Sequence, residues 1–374
     1  MNFNVSSAVL CSRIQTLNKI ISSKNSIQIL DCVLFNLQQN KLTMTASDGE
    51  ITLLTNLDVN ESSGSGVFAI NSQQIINGLK EISDQPIQIS VDENTYAIEI
   101  RYQNGNSKFI GQSGAEYPIP QRIGNDTKTI VLGSALLQNG ISRAVFATAD
   151  DELRPVMNGI YFDIAEDSLT FVASDGHKLV RNRNMKVKSD NPTSFILPKK
   201  PAKMLKDILV KDGGDAIINF DNSYAEIIVE NYILSCRLIE GRYPNYNSVI
   251  PTDNPYKVRI DRQALLGALR RVLVFASSST SLIRLRIDIG VLNVSAQDID
   301  FSTSAEEKIM CEYDGSPMNI GFKGPFLIDI LNGINSQDVI LELADPSRAG
   351  VIVPAEQEPD EDLLMLLMPM MLND

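Results

Sequence analysis

The sequence predicts an α+β fold made of three similar domains in tandem, each with two helices and about eight short antiparallel strands. Three observations carry this. A strand-and-turn phrase is written three times: LTMTASDGEITL at 42–53, LTFVASDGHKLV at 169–180 and LNVSAQDIDFST at 292–303. The copies begin at Leu42, Leu169 and Leu292, about a third of the chain apart, and keep Leu, Ala and Asp in the same relative places. Each third is also long enough to bury its own core, since domains commonly run to about 100–150 residues.

Each third then repeats a finer order of helix, strands, helix, strands. The first helices are expected at 6–21, 133–147 and 261–276. Their apolar residues recur at helical spacing: Leu10, Ile14, Leu17 and Ile21; Leu137, Ile141 and Ala144; Leu265, Leu269 and Val272. Ser134 and Asp261 stand where N-caps are expected. The second helices are expected at 71–82, 198–209 and 323–334, with stripes Ile75, Leu79, Ile82; Ala202, Leu205, Leu209; and Leu327, Leu331, Ile334. Alternating stretches at 87–102 and 216–231 read as hairpin strands around polar turns. The pattern resets at 121–127 and 250–254, short joints rich in Gly, Pro and Asn. The expected domains are therefore 1–122, 123–250 and 251–374.

Composition narrows the function. The net charge of −13 opposes wholesale coating of nucleic acid. It is unevenly placed, however. The six helical segments carry twelve basic residues against four acids (Glu81, Asp207, Asp261, Asp329). Lys19, Lys80, Arg143, Lys203, Arg270 and Arg271 project away from the apolar stripes, so a basic helix surface could bind phosphates without reading bases. The plainer reading is that lysine and arginine are simply good helix formers. Glutamate is equally good and is nearly absent there.

Four scattered cysteines, Cys11, Cys32, Cys236 and Cys311, show no CxxC spacing and suit free thiols in a reducing compartment. The N-terminus lacks a signal-peptide pattern, and the apolar run 363–372 is half the length of a membrane span. A cytoplasmic protein without membrane contact is expected. There is no GxxxxGK[ST] for nucleotide hydrolysis, and the lone His177 supports neither a multi-His metal site nor a triad. No catalytic residue, metal or cofactor is expected. Ser47-Asp48-Gly49 and Ser174-Asp175-Gly176 read as turns in which Asp accepts backbone N–H bonds and Gly supplies positive φ, rather than as acid sites. The run 363–372 reads either as a buried last strand or, through Met365, Met368, Met370 and Met371 around Pro369, as an adaptable partner surface.

RPVMNGIYFD (154–163), VASDGHKLV (172–180), FILPKKP (195–201), IEGRYPNYNSVIP (239–251) and LMPMML (367–372) together resemble the beta subunit of bacterial DNA polymerase III, the sliding clamp. The resemblance runs the length of the chain in order. It implies three DNA-clamp domains per chain and a head-to-tail homodimer closing a six-domain ring around double-stranded DNA, without sequence preference. Implied partners are the polymerase III catalytic subunit, an ATP-driven clamp loader, and other DNA polymerases and repair proteins. A partner-peptide pocket would comprise Met157, Ser174, Gly176, His177, Lys178, Leu179, Pro244, Val249, Phe326, Leu366, Met368, Pro369, Met370 and Leu372. DNA contact would fall to Lys24, Lys80, Arg143, Arg154, Lys199, Lys203, Arg270 and Arg271. The ring interface would join Lys108, Phe109 and Ile110 to Val274, Phe275, Glu306 and Glu307, with Lys108 facing the glutamates. Three departures from the family stand out: Ser248 where arginine is common, Pro155-Val156 in place of an aromatic pair, and the terminal Asn373-Asp374. From the residues alone, a scaffold unrelated to DNA and an enzyme using Asp175 and His177 stay open.

Overall fold

The computed structural model describes the chain except residues 23, 24, 26, 119–122, 125, 211, 212, 373 and 374. The first third runs β1 (Asn2–Ser6), α1 (Ser7–Asn18), β2 (Cys32–Gln38), β3 (Lys41–Ser47), β4 (Ile51–Asp58), β5 (Asn60–Ser63), β6 (Gly66–Asn71), α2 (Ser72–Leu79), β7 (Pro86–Val91), β8 (Ala97–Tyr102), β9 (Gly105–Ile110) and β10 (Gln112–Ser113). The middle third runs β11 (Lys128–Gly133), α3 (Ser134–Ala144), β12 (Gly159–Ile164), β13 (Leu169–Ser174), β14 (Lys178–Asn184), β15 (Thr193–Pro198), α4 (Lys199–Ile208), β16 (Asp215–Phe220), β17 (Tyr224–Val229) and β18 (Tyr232–Arg237). The last third runs β19 (Tyr256–Asp261), α5 (Arg262–Leu273), β20 (Leu282–Asp288), β21 (Val291–Asp298), β22 (Thr303–Met310), β23 (Met318–Lys323), α6 (Gly324–Asn332), β24 (Asp338–Leu343), β25 (Gly350–Pro354) and β26 (Glu361–Leu367).

All six expected helices form, a little shorter than their apolar periodicity suggested. Three of the starts, those of α1, α2 and α5, are fixed by caps: Ser6 Oγ accepts from Val9 N–H, Asn71 Oδ1 from Gln74 N–H and Asp261 Oδ1 from Ala264 N–H. Ser134 is not a cap. It is the first residue of α3 itself, and its own N–H donates to the Gly214 carbonyl. The predicted stripes are buried: Leu10, Ile14 and Leu17; Leu137 and Ile141; Leu265, Leu269 and Val272.

The chain forms two compact units, Met1–Gln138 with Lys203–Leu238 and Asn139–Ala202 with Ile239–Asp374. The middle third is thus divided, because its two sheet halves join different neighbours. In the first unit one sheet has the order β10-β6-β2-β3-β4-β18-β17-β16-β11 and another β5-β1-β7-β8-β9. In the second unit the orders are β15-β12-β13-β14-β26-β25-β24-β19 and β22-β21-β20-β23. Many strands alternate buried residues with more exposed ones while β13 is buried throughout, and aromatic pairs fill the interior: Phe35 stacks on Phe68, and Phe162 contacts Phe171 and Phe195. Among the described residues each sheet ends in two edge strands; β9 is one edge of the five-stranded sheet and β22 one edge of the four-stranded one.

A candidate partner site, with basic and edge-strand surfaces

The repeated phrase is a β-hairpin in each copy: β3–β4, β13–β14 and β21–β22. Each turn is held by its aspartate. Asp48 Oδ1 accepts from Glu50 and Ile51 N–H, Asp175 Oδ1 from His177 and Lys178 N–H, and Asp298 Oδ1 from Asp300 and Phe301 N–H. Gly49 and Gly176 take φ of 95° and 89°, the left-handed region that glycine enters without strain. Asp175 is thereby occupied with structure, and acid chemistry has no claim on it.

The middle turn alone carries a lysine after it. Lys178 is buried (5% exposed), its ammonium 2.5 Å from Asp175 Oδ2 and 3.8 Å above the centroid of the Phe326 ring. A buried cation needs such partners, because desolvation without them costs several kcal/mol. Burial pushes the Asp175 carboxyl upward, but Lys178 and the two backbone N–H groups more than offset it and hold the pKa below the usual carboxylate value of 3.8.

The last strand lies directly beside this turn. β14 and β26 are antiparallel, with Leu179 opposite Leu366 and Lys178 opposite Leu367. Leu179, Ala349 and Leu366 form a buried cluster flanked by Tyr246 and Ile250. Beyond the strand, Met368 N–H donates to the His177 carbonyl (2.8 Å) and Met370 N–H to the Gly321 carbonyl (2.8 Å). The buried-strand reading of the terminal run holds for part of it. Leu363, Met365, Leu366 and Leu367 are buried strand, while Met368 is 42% exposed and Pro369, Met370 and Leu372 are half-buried. Pro244 and Val249 are exposed nearby in sequence to Tyr246, and Met157 is buried.

Hydrogen bonds, pairing or ring contact thus link Ser174, Gly176, His177, Lys178, Leu179, Phe326, Leu366 and Met368 directly. Tyr246, whose hydroxyl donates to Asp163, and Ala349 were missed by sequence reasoning. Tyr246 lay within the quoted PNYNS phrase, whereas Ala349 gives no signal before the fold is known. Ser248 is exposed and its hydroxyl donates to the Asn245 carbonyl.

The basic residues divide. Lys203, Arg270 and Lys80 are exposed, Arg270 reaching Asn332 Oδ1. Lys199 is ion-paired to Asp150, and Arg154 to Asp151. Arg154 also donates to the Asp175 carbonyl, so it braces the Lys178 turn. Arg143 departs from expectation. It is buried and ion-paired to Glu361 of β26 instead of facing solvent. Lys24, Asn373 and Asp374 lie outside the described residues.

At the edges, Ile110 on β9 is 74% exposed and Phe109 half-buried, while Val274 and Phe275, just past α5, are exposed. Lys108 lies 3.5 Å from Glu99. Glu307 is already held by a two-pronged bond from Arg271 (2.6 and 2.7 Å), and Glu306 accepts from Asn293.

Three α+β thirds that repeat one plan of two helices and an aspartate-held hairpin define a tandem-domain chain of the clamp type. Models of the DNA polymerase III beta subunit match its N-terminal domain at residues 1–120, its central domain at 131–245 and its C-terminal domain at 247–371. The chain belongs to the DNA polymerase III beta subunit family, the non-catalytic sliding clamps of DNA replication. It is 25% identical to the beta sliding clamps of Pseudomonas putida and Streptococcus pneumoniae, in each case over all of both chains. Its fold matches the griselimycin-bound sliding clamps of Pseudomonas aeruginosa (TM-score 0.91, 23% identity) and Bartonella birtlesii (TM-score 0.91, 24% identity), with full coverage of both chains. Among the described residues no helix is long and apolar enough to cross a membrane.

Proposed function

We propose that two copies of this chain close head to tail into a ring around duplex DNA, and that the ring slides while holding polymerase and repair proteins at the Leu179–Leu366 site. One observation carries the ring. The strand that follows each repeated turn is extended by a partner strand twice within the chain: β4 by β18 and β14 by β26. Among the described residues the third such strand, β22, has no strand on that side, and neither has β9, the counterpart of β18 and β26. An open edge of this kind is a template for another chain. Pairing β22 with β9 of a second copy satisfies both edges and repeats a junction the chain already makes.

The exposed Lys80, Lys203 and Arg270 would supply weak, sequence-independent phosphate contact. Enclosure, not affinity, would then provide retention. The domain limits 1–122, 123–250 and 251–374 fit this scheme, as does a separate ATP-driven loader. The exposed Met368, bonded to the turn beside the buried Leu179–Leu366 pair, suits a short apolar motif from different partners, to which the exposed Val249 and Pro244 would add.

The deciding experiment loads the protein on a nicked circular plasmid with a clamp loader and ATP, then linearises the DNA before gel filtration. Protein should co-elute with the circle and separate from the linear form. Equal retention on both would overturn the topological reading.

A further inference from the structure

The outward face of the nine-stranded sheet carries an aliphatic row that neither ring closure nor the Leu179–Leu366 site uses. Strand register sets Val131 beside Ile217, Ile217 beside Ile228, Ile228 beside Ile233 and Ile233 beside Leu54, across the five neighbouring strands from β11 to β4. Their neighbours in sequence, Ile218, Ile227, Leu234 and Leu53, are fully buried in the core on the other face. Side chains alternate along a strand, so the row points outward. Val131 is 54% and Ile217 37% exposed, and the other three are half-buried. Polar rows run along both sides: Thr129, Asn219, Glu226, Ser235 and Thr52 on one, Asp215, Asn56 and Thr43 on the other.

The other sheets treat this face differently. Cross-strand rows in the five- and four-stranded sheets are polar, such as Gln88–Arg101–Asn106 and Arg284–Ser295–Glu306. The eight-stranded sheet has the same row with a cation at each end. Arg259 takes the place of Val131, two residues before the end of the strand that leads into a helix, and Arg181 takes the place of Leu54 after the repeated turn. Between them stand Ile340, Val353 and Leu364. Arg259 is ion-paired to Asp338 and Arg181 to Asp362. Charges at the ends raise the cost of covering an apolar row, because they are desolvated with it. The row from Val131 to Leu54 has no such guard. Neither it nor the polar rows beside it contain lysine or arginine, and its flanks carry Glu226 and Asp215.

We propose that this row docks an amphipathic helix of a partner protein, one whose aliphatic stripe is flanked by lysine or arginine. Neighbouring strands lie about 4.8 Å apart, so the row spans about 19 Å. A helix repeats its stripe about every 5.4 Å and covers that length in about 13 residues. An extended peptide repeats one face only about every 6.6 Å and fits the spacing less well. The fold makes a comparable crossing on the opposite face, where α1 lies against β2, β3 and β4. Glu226 and Asp215, on either side of the row, select basic flanks in the occupant. A second copy presenting the same row would set acid against acid. Five side chains, three of them half-buried, also offer far less than the roughly 800 Å² per partner of a stable complex between folded proteins.

The test uses a fluorescein-labelled synthetic helix of four turns, with leucine at every third or fourth position and lysine on both flanks. It is titrated with the full-length protein at physiological salt and read by fluorescence polarisation, beside a matched peptide with glutamate in place of lysine. Saturable binding of the lysine peptide is expected, at least tenfold tighter than that of the glutamate peptide. Val131→Arg/Ile217→Lys, at two exposed positions, should weaken it at least tenfold. Should that variant fail to fold by circular dichroism, Glu226→Gln/Asp215→Asn keeps the test open, and it should weaken the lysine peptide severalfold. No saturable binding, or equal binding of the two peptides, overturns the proposal. So does binding that survives both double variants but is lost in Val249→Arg, which would put the peptide at the Leu179–Leu366 site. Concentration-dependent self-association in sedimentation, abolished by Val131→Arg/Ile217→Lys, would assign the row to a second copy and overturn the proposal as well. The row lies within one compact unit of a single chain, so none of these outcomes depends on ring closure.

Discussion

Arg143 shows what a single residue owes to the rest of the chain. Helical periodicity placed it off the apolar stripe, correctly, but periodicity cannot see that Glu361 arrives from the far end of the sequence to meet it. Removing one partner of a buried pair leaves the other charge desolvated. Arg143→Ala should therefore cost about 3 kcal/mol of stability by thermal or urea denaturation, while leaving any affinity for DNA unchanged in the folded protein. Lys178 was legible in sequence as the departure of the middle repeat. Its ring partner Phe326 entered through family likeness alone, because the two positions share no local pattern. Asp175, whose folded pKa is depressed, contributes stability that is full above the unfolded value near 3.8 and disappears as pH falls through the lower folded value. In Lys178→Ala, burial of Asp175 is less well offset and its pKa rises. The acid limb of a melting-temperature profile from about pH 7 to about pH 2 should then move to higher pH. An unmoved limb would show that the two backbone N–H bonds suffice to hold the carboxylate.

Among elements, the helices were legible to within a few residues because amphipathic spacing and caps are local. The sheets were legible only as hairpins. That β4 meets β18 and β14 meets β26 depends on long-range register, which alternation does not encode. Those two junctions yield a prediction for the third. Cys236 faces Ile51 and Leu367 faces Lys178, the residues three positions after each turn aspartate. Through the β8–β9 and β21–β22 registers, Phe109 becomes the counterpart of Cys236, and Thr303 of Ile51. Between copies, Phe109 should then lie opposite Thr303, Ser107 opposite Ala305 and Asn106 opposite Glu306. Lys108 would face Ser304 with Glu306 as its diagonal neighbour, still within reach of an ion pair. Half-buried Ser107 meets half-buried Ala305 in this register, and exposed Asn106 meets exposed Glu306. A Ser107→Cys/Ala305→Cys protein should form a disulfide-linked dimer under mild oxidation on a non-reducing gel. Cross-linking by Ser107→Cys/Glu307→Cys in its place would set the register two residues off.

For the molecule as a whole, the charge pattern and the open edges make separable demands. The acid excess lies outside the helices, so an unclosed chain has little electrostatic reason to stay on DNA at physiological salt, where about 8 Å of screening removes distant attraction. In the proposed ring, closure would supply retention. Ile110 and Phe275 are both substantially exposed in the single chain, so charging them costs the fold little. Across a paired β9–β22 junction the same substitutions would bury carboxylates without partners, at several kcal/mol each. Ile110→Asp/Phe275→Asp is thus expected to sediment as a monomer whose melting temperature is no lower than that of the native protein diluted to monomer. It should lose retention on circular DNA while still binding, at native affinity, partner peptides that use the Leu179–Leu366 site. A double variant that stays dimeric would place the junction elsewhere. A monomer retained on circular DNA would show that phosphate contact at Lys80, Lys203 and Arg270, rather than enclosure, holds the protein there.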